Sequence, residues 1–443
     1  MYQPRTLASA LAVGALAFGL SACGDDEKTT DSGTADTPTI STVDTSVEGN
    51  VTMTGVWSGE EQKNFQKVLD AFQVKYPNVK VKYTSAGDET ATVLGTAVEG
   101  GNPPDVAAIA QPGLVKEFQE KGALKPIGFA RDTIVVQYSD DFVKLGTIKN
   151  ELYSFVFKAA NKSTVWYNVK AFEDAGVAAP KTWEEFTANA KTLSESGTPA
   201  YSIAGADGWT LTDLFENIYL RQAGAEKYDQ LTTHDIPWTD ESVKKALTAM
   251  ADVVGDSGNI VGGTKGALET DFPGSVENVF VDPAKGAQVI EGDFVPGVVK
   301  TKLEPVTGYN QFAFPSIDGS PEAIVGGGDS VVAFNDTPAV QALVEYLASK
   351  DAQEVRAKLG GFSSANKDVD PAAYPDDLTR ATAEAIAKAE TFRFDMSDLQ
   401  PAAFGGTVGQ GSWKALQDFL ENPDDVDGAA EALEKAAAKA FKN

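Results

Sequence analysis

Trp57, Ser58, Glu60 and Glu61 place an indole, a hydroxyl and two carboxylates within five consecutive positions. Such a set can pack on an apolar ring face and accept hydroxyl hydrogens in fixed geometry. The alternative is structural: Trp57 as core, and the glutamates as favourable partners of a helix dipole. Trp209 and Trp413 lie among Gly, Asp and Gln and suit a cleft, whereas Trp166, Trp183 and Trp238 read as core packing. Other chemistry is limited by a single histidine and a single cysteine. No disulfide can close within the chain, and no His/Cys zinc site of the usual ligand count can be assembled. A Ser-His-Asp triad would have to use His234, whose polar neighbours Thr232, Thr233 and Asp235 describe a surface turn. Asp425, Asp427, Gly428 and Glu434 match four positions of a calcium loop, but Pro423 stands where its first ligand belongs. Capping of a helix by Asp427 accounts for that run instead.

The elements that must position the first set are legible around it. Val51 and Met53 alternate with threonines as a half-buried strand. Ser58 and Glu61 have capping-box spacing, and Phe65, Val68, Leu69, Phe72 and Tyr76 form one helical stripe. Pro77 and Asn78 stop that helix, and Val79, Val81 and Tyr83 give a second strand. A helix between two strands implies parallel pairing and a right-handed crossover. In open sheets of this kind ligands bind beyond the carboxyl ends of the strands, where residues 57–61 fall. Asp105–Ala110 reads as a covered strand, Leu152–Phe157 and Thr164–Tyr167 as further strands. Helices are expected over 182–186 and onward with Thr182 as cap, then 210–222, 241–254, 338–359 with Thr337 as cap, and 428–442. The class is therefore α/β.

The length of 443 residues exceeds what one core usually holds, so two domains are expected. A net charge of −27 argues against nucleic acid and anionic lipid as partners. Arg5 precedes an apolar run, Leu7–Leu20, too short for a permanent span and typical of a secretory signal. Leu20-Ser21-Ala22-Cys23 resembles the lipobox of bacterial lipoproteins, which makes Cys23 the expected lipidation site. Residues 1–22 are then the signal peptide and 23–49, rich in Asp, Thr, Ser and Gly, a disordered tether. The expected location is the outer face of the cell membrane, held there by a lipid anchor.

Taken in order, the lipobox, the strand-helix-strand segment from Val51 to Tyr83, Gly101-Asn102-Pro103-Pro104-Asp105, and Lys181-Thr182-Trp183-Glu184-Glu185-Phe186 resemble the sugar-binding lipoproteins of bacterial ABC importers, the maltose-binding-protein group of extracellular solute-binding proteins. The segment Arg393–Leu420 is similar to the group that takes up α-glucosides. The resemblance implies an α/β, two-lobed periplasmic-binding-protein fold with a hinge and an interlobe ligand cleft. It divides the chain into one lobe of residues 50–160 and 326–375 and a second of 161–325 and 376–443. Crossings are expected near Ala159–Lys162, Val325–Asp329 and residue 375.

Position beyond the first strand puts Trp57 at the site, and the resemblance also assigns ligand contacts: Glu60 and Glu61 after the first strand, Asp88 and Glu89 on a loop over the ligand, and Gln111 after the third strand. Asn161 stands where maltose binders carry a hinge carboxylate. Asp207 and Trp209 match an acid and aromatic pair, Phe294 beside Glu291 and Asp293 matches a stacking tryptophan, Asp329 falls at the second crossing, and Trp413 lies at or beside another stacking position. Such residues suit a sugar, whose C–H face packs on aromatic rings and whose hydroxyls need partners when taken from water. No cofactor, metal or catalysis is implied. The implied partners are a carbohydrate and a membrane permease with its cytoplasmic ATPase, the receptor itself being a monomer. Three other readings use the same residues: a polyamine or other cation receptor, a secreted glycosidase, and an adhesive lipoprotein.

Overall fold

A computed structural model describes residues 45–302 and 308–442 of the chain. The signal peptide, Cys23 and the tether up to residue 44 lie outside the described residues, and the first strand already begins at Gly49 within the segment expected as tether.

The strands are β1 Gly49–Gly55, β2 Val79–Ser85, β3 Val106–Ile109, β4 Thr147–Ile148, β5 Glu151–Leu152, β6 Ser154–Asn161, β7 Thr164–Asn168, β8 Gln288–Ile290, β9 Tyr309–Ala313, β10 Ile324–Ala333, β11 Ser363–Ser364 and β12 Phe392–Phe394. β1 pairs in parallel with β2 and β3, Met53 lying opposite Tyr83 and Val106, as the crossover argument requires. The large sheet runs β11-β6-β10-β3-β1-β2, with β12 beside β10. A smaller antiparallel sheet, β8-β7-β9, lies elsewhere in the fold.

The chain leaves the large sheet at Asn161, enters the small one at Thr164, and returns between Ala313 and Ile324. β10 then pairs with β6 from Gly326 opposite Asn161 to Val332 opposite Ser154, with an irregularity between Asp329 and Ser330.

Two main cores follow from this division. Around the large sheet, Val51, Met53, Phe65, Val68, Phe72 and Tyr76 pack with Phe155, Phe157, Val331 and Leu343. The second gathers Trp183, Phe186, Phe215, Tyr219, Trp238, Leu416 and Leu433. Trp166 belongs to a smaller cluster with Val276, Val279 and Val289. Trp166, Trp183 and Trp238 are thus core residues, and so is Trp57.

Several helix ends depart from expectation. Ser58 makes no side-chain cap, and Glu61, its expected reciprocal partner, bonds Lys158 instead. Thr182 does cap, accepting from the Glu185 amide, while Glu185 accepts from the Lys181 amide. Thr337 caps a helix that ends at Ala348, since Ser349 adopts extended geometry and starts a second helix, Lys350–Ala357. The helix expected over 210–222 begins at Trp209 and does break off at Gly224, whose φ of 79° no helix accommodates, and a second helical segment continues to Thr232. Asp425, not Asp427, caps the last helix, Val426–Ala440, by accepting from the Gly428 amide, and Asp427 pairs with Lys244. His234 does sit in a turn, but its ring Nε2 lies 3.1 Å from Glu434, tying that turn to the last helix.

Candidate functional site

The carboxyl ends of the three parallel strands converge on one place. Val56, Ser58 and Glu61 follow β1, Gly87 and Asp88 follow β2, and Ala110 and Gln111 follow β3; all line a single cavity of about 320 Å³. The floor comes from the β6–β10 pair through Lys158, Ala160, Gly328 and Asp329. The facing wall comes from helix starts: Asp207 and Trp209 before and at the head of Trp209–Thr232, Asp271, Phe272 and Pro273 at the head of Phe272–Phe280, and Phe294 just before Val295–Lys302. Trp413, from the helix Gly411–Glu421, completes it with Asp398.

Of the residues expected at a site, Glu61, Asp88, Gln111, Asp207, Trp209, Phe294, Asp329 and Trp413 stand on this wall. The others stand off it. Trp57 is buried behind the wall, where its indole N–H donates to Asp329 Oδ2 at 2.6 Å and its ring packs on Phe65 and Phe157. Glu60 turns outward to Lys63 at 3.2 Å, and Glu89 is exposed beside Asp88. Asn161 faces a second cavity with Arg221 and Gln311, its side-chain oxygen accepting from the Ser163 amide. Glu291 is buried just after β8, its backbone carbonyl accepting from the Thr164 hydroxyl, and Asp293 accepts from the Ser363 hydroxyl. Cys23 lies outside the described residues.

Lys158, Lys162, Asp271, Phe272, Pro273 and Asp398 line the cavity without having been singled out in the sequence. Lys158 lies opposite Asp329 across the β6–β10 pair, bonds Glu61 at 2.6 Å, and sits 3.9 Å from Asp329 and 4.8 Å from the Phe294 ring centroid. Burial alone would lower its pKa, but Glu61 and Asp329 outweigh that and hold it above the ordinary lysine value.

Lys162 reaches Asp395 at 2.5 Å, Asp213 at 3.0 Å and Asp398 at 3.6 Å, with the Trp209 ring centroid 5.7 Å away. Its side chain passes close over Gly327, where a Cβ would lie 2.7 Å from Lys162 Cε. Burial opposes the charge of Asp395, but Lys162 and neighbouring donors hold its carboxyl well below the usual range; burial pushes Asp213 and Asp398 well above it. Both lysines are therefore neutralised within the protein.

The aromatic wall is a mutually braced group. Trp209 and Phe272 rings lie 5.5 Å apart, Trp209 and Phe294 6.0 Å, and Phe272 and Phe294 5.2 Å, all tilted or edge-on. Asp207 accepts from the Phe272 amide at 2.5 Å and so fixes one helix start against another. Burial pushes its carboxyl up to about 7, partly offset by that amide and reinforced by Asp88 and Asp271. Gly208, at φ 81°, brings the backbone against Trp413, and a Cβ would lie 2.7 Å from that of Trp413. The assembled surface offers aromatic faces, carboxylate acceptors and two compensated cations. Among the described residues there is no three-ligand His/Cys/Asp/Glu cluster for a metal.

Comparison with known proteins bears on this arrangement. A model of the bacterial extracellular solute-binding protein family matches residues 57–354. The osmoprotective compounds-binding protein GgtB of Synechocystis is 35% identical over 384 residues, covering 84% of this chain and 89% of its own. The alpha-glucosides-binding periplasmic protein AglE of Rhizobium meliloti is 32% identical over 397 residues, covering 86% and 85%. The solved structure of the bacterial solute receptor AcbH, described as having an exclusive preference for β-D-galactopyranose, superposes with a TM-score of 0.79 at 19% identity, covering 89% of this chain and 100% of AcbH. The two α/β sheets, the chain passing between them and the cavity they share are thus the fold of periplasmic sugar receptors. The chain belongs to the bacterial extracellular solute-binding protein family.

Proposed function

We propose that the protein captures a neutral carbohydrate, an α-glucoside or short oligosaccharide, in the cavity between two lobes and delivers it to the permease of an ABC importer. As a member of its family it is a receptor and not an enzyme, which removes the glycosidase alternative. The observation that carries the reading is that the aromatic rings of Trp209, Phe272 and Phe294 and the acceptors Glu61, Asp88 and Asp329 line one cavity. A pyranose needs both: a C–H face to pack on rings, and hydroxyls that lose water only where carboxylates accept them. The names of GgtB and AglE support an osmoprotective compound or an α-glucoside.

The lobes are taken as residues 50–160 with 326–375, and 161–325 with 376–443. An open form dominates without ligand, and a sugar touching both lobes favours closure by its differential affinity. Cys23 carries a lipid that keeps the receptor, a monomer, at the outer membrane face beside its permease and ATPase. Trp57, Asn161, Glu291 and Asp293 support the wall or the hinge rather than the ligand, and Glu60 and Glu89 lie outside the cavity.

The test is a thermal-shift screen of residues 50–443 against monosaccharides, α-glucosides, oligosaccharides and polyamines. A ligand at a hundred times its dissociation constant adds about 2.7 kcal/mol, a shift of several degrees. Stabilisation by neutral saccharides supports the reading. Stabilisation by amines alone would replace it with a cation receptor.

A further inference from the structure

Gln111 and Trp413 share a property that sets them apart on the cavity wall. Gln111 is 9% exposed and Trp413 3%, yet Gln111 Oε1 and Trp413 Nε1 are buried without a hydrogen-bond partner. A buried polar atom left unpaired loses its hydration without compensation, so two of them on one ligand cavity are unfavourable unless a ligand relieves them. They are also complementary. The indole N–H can only donate and the amide oxygen can only accept.

Both side chains are held by glycine contacts. A Cβ at Gly406 would lie 2.9 Å from Gln111 Cγ, and one at Gly208 would lie 2.7 Å from Trp413 Cβ. Gln111 belongs to the carboxyl end of β3 in the large sheet, and Trp413 to the helix Gly411–Glu421 packed on the second core. They therefore reach the cavity from different parts of the fold.

We infer that Gln111 and Trp413 form a specificity pair for one ligand hydroxyl, which accepts from the Trp413 N–H and donates to Gln111 Oε1, joining the two sides of the cleft. The inference rests on the carbohydrate reading and assigns Trp413 a role as hydrogen-bond donor in place of stacking. A single hydroxyl satisfies both orphans because it carries one donor and two acceptor sites. A ligand lacking that hydroxyl would leave both unpaired, and sites built on such a bond discriminate more sharply than apolar pockets do.

Isothermal titration of the wild-type chain with maltose, trehalose and methyl α-D-glucopyranoside, followed by the monodeoxy analogues of whichever binds, tests the pair. Trp413→Phe keeps an aromatic ring but loses the N–H; Gln111→Ala loses the acceptor. Each is expected to weaken binding by about tenfold to a hundredfold, and the double variant by much less than the product. One monodeoxy analogue should lose a similar factor on wild type and little on the double variant. Because the analogue series uses wild type, it reads the pair even where a variant folds poorly. Binding unchanged within about twofold in both variants, or no deoxy position that matters, overturns the pair alone. Absence of binding by every neutral saccharide overturns the carbohydrate reading.

Discussion

Trp209 is half-buried on the cavity wall, and its ring is fixed by Phe272, Phe294 and the Lys162 ammonium. Trp209→Ala should weaken saccharide binding by about one to three orders of magnitude by titration calorimetry, with the melting temperature little changed. Unaltered affinity would remove the ring from the site. Asp207 titrates differently in the two states. Folding raises its pKa from 3.8 to about 7, so between those values the folded protein holds a proton that the unfolded chain has released. Stability then falls as pH rises through that window and levels off above it. Asp207→Asn keeps an acceptor for the Phe272 amide and removes the titration. Its unfolding free energy should drop less than wild type between about pH 4 and pH 7 in denaturant melts, and parallel profiles would contradict this.

Trp209 and Trp413, which lie among Gly, Asp and Gln, were legible as cavity residues, whereas Asp271, Phe272 and Asp398 were not singled out. Lys158 and Lys162 were not either, since their partners lie up to 233 positions away. Asp271 reads locally as a helix cap, which it also is.

Helix starts do most of the positioning. Gly208 shows how: its positive φ and its contact with Trp413 leave no room for a side chain. Gly208→Ala should cost about 1–3 kcal/mol of stability and lower affinity, because Trp413 or the Trp209 helix must shift. Calorimetric melting and saccharide titration check the two effects, and a neutral variant would show that the contact yields. The elements found from sequence were those with local signals: the alternation of Val51 and Met53, the stripe from Phe65 to Tyr76, and the caps Thr182 and Thr337. β10 gave none. All ten of its residues are buried, so it does not alternate, and Gly326, Gly327 and Gly328, expected only as part of a crossing, make room in the fold for Phe392, Lys162 and the β6 backbone. The short strands β8, β9, β11 and β12 exist only through pairing with distant partners.

Taken whole, the molecule carries a net charge of −27, while its internal lysines are already matched by carboxylates. Self-repulsion of the outer surface should therefore limit stability at low ionic strength. Raising salt from about 0.01 to about 0.15 M shortens the screening length from ~30 to ~8 Å, and the melting temperature of residues 50–443 should rise by a few degrees. A falling melting temperature would mean that attractive pairs dominate. The α/β class was legible from the alternation of strands and helices. The cleft was legible only as a place beyond strand ends, since its second wall depends on how distant helices meet.

The placement of the six tryptophans has an optical consequence. Trp57 touches Asp329 behind the cavity floor, Trp209 and Trp413 line the cavity, and Trp166, Trp183 and Trp238 lie in cores away from it. Three indoles thus emit as a constant internal standard while three sense the occupant. A bound saccharide should shift and rescale ultraviolet emission without any attached dye, and Trp209→Phe should remove much of that response, so the receptor can report its own occupancy in real time.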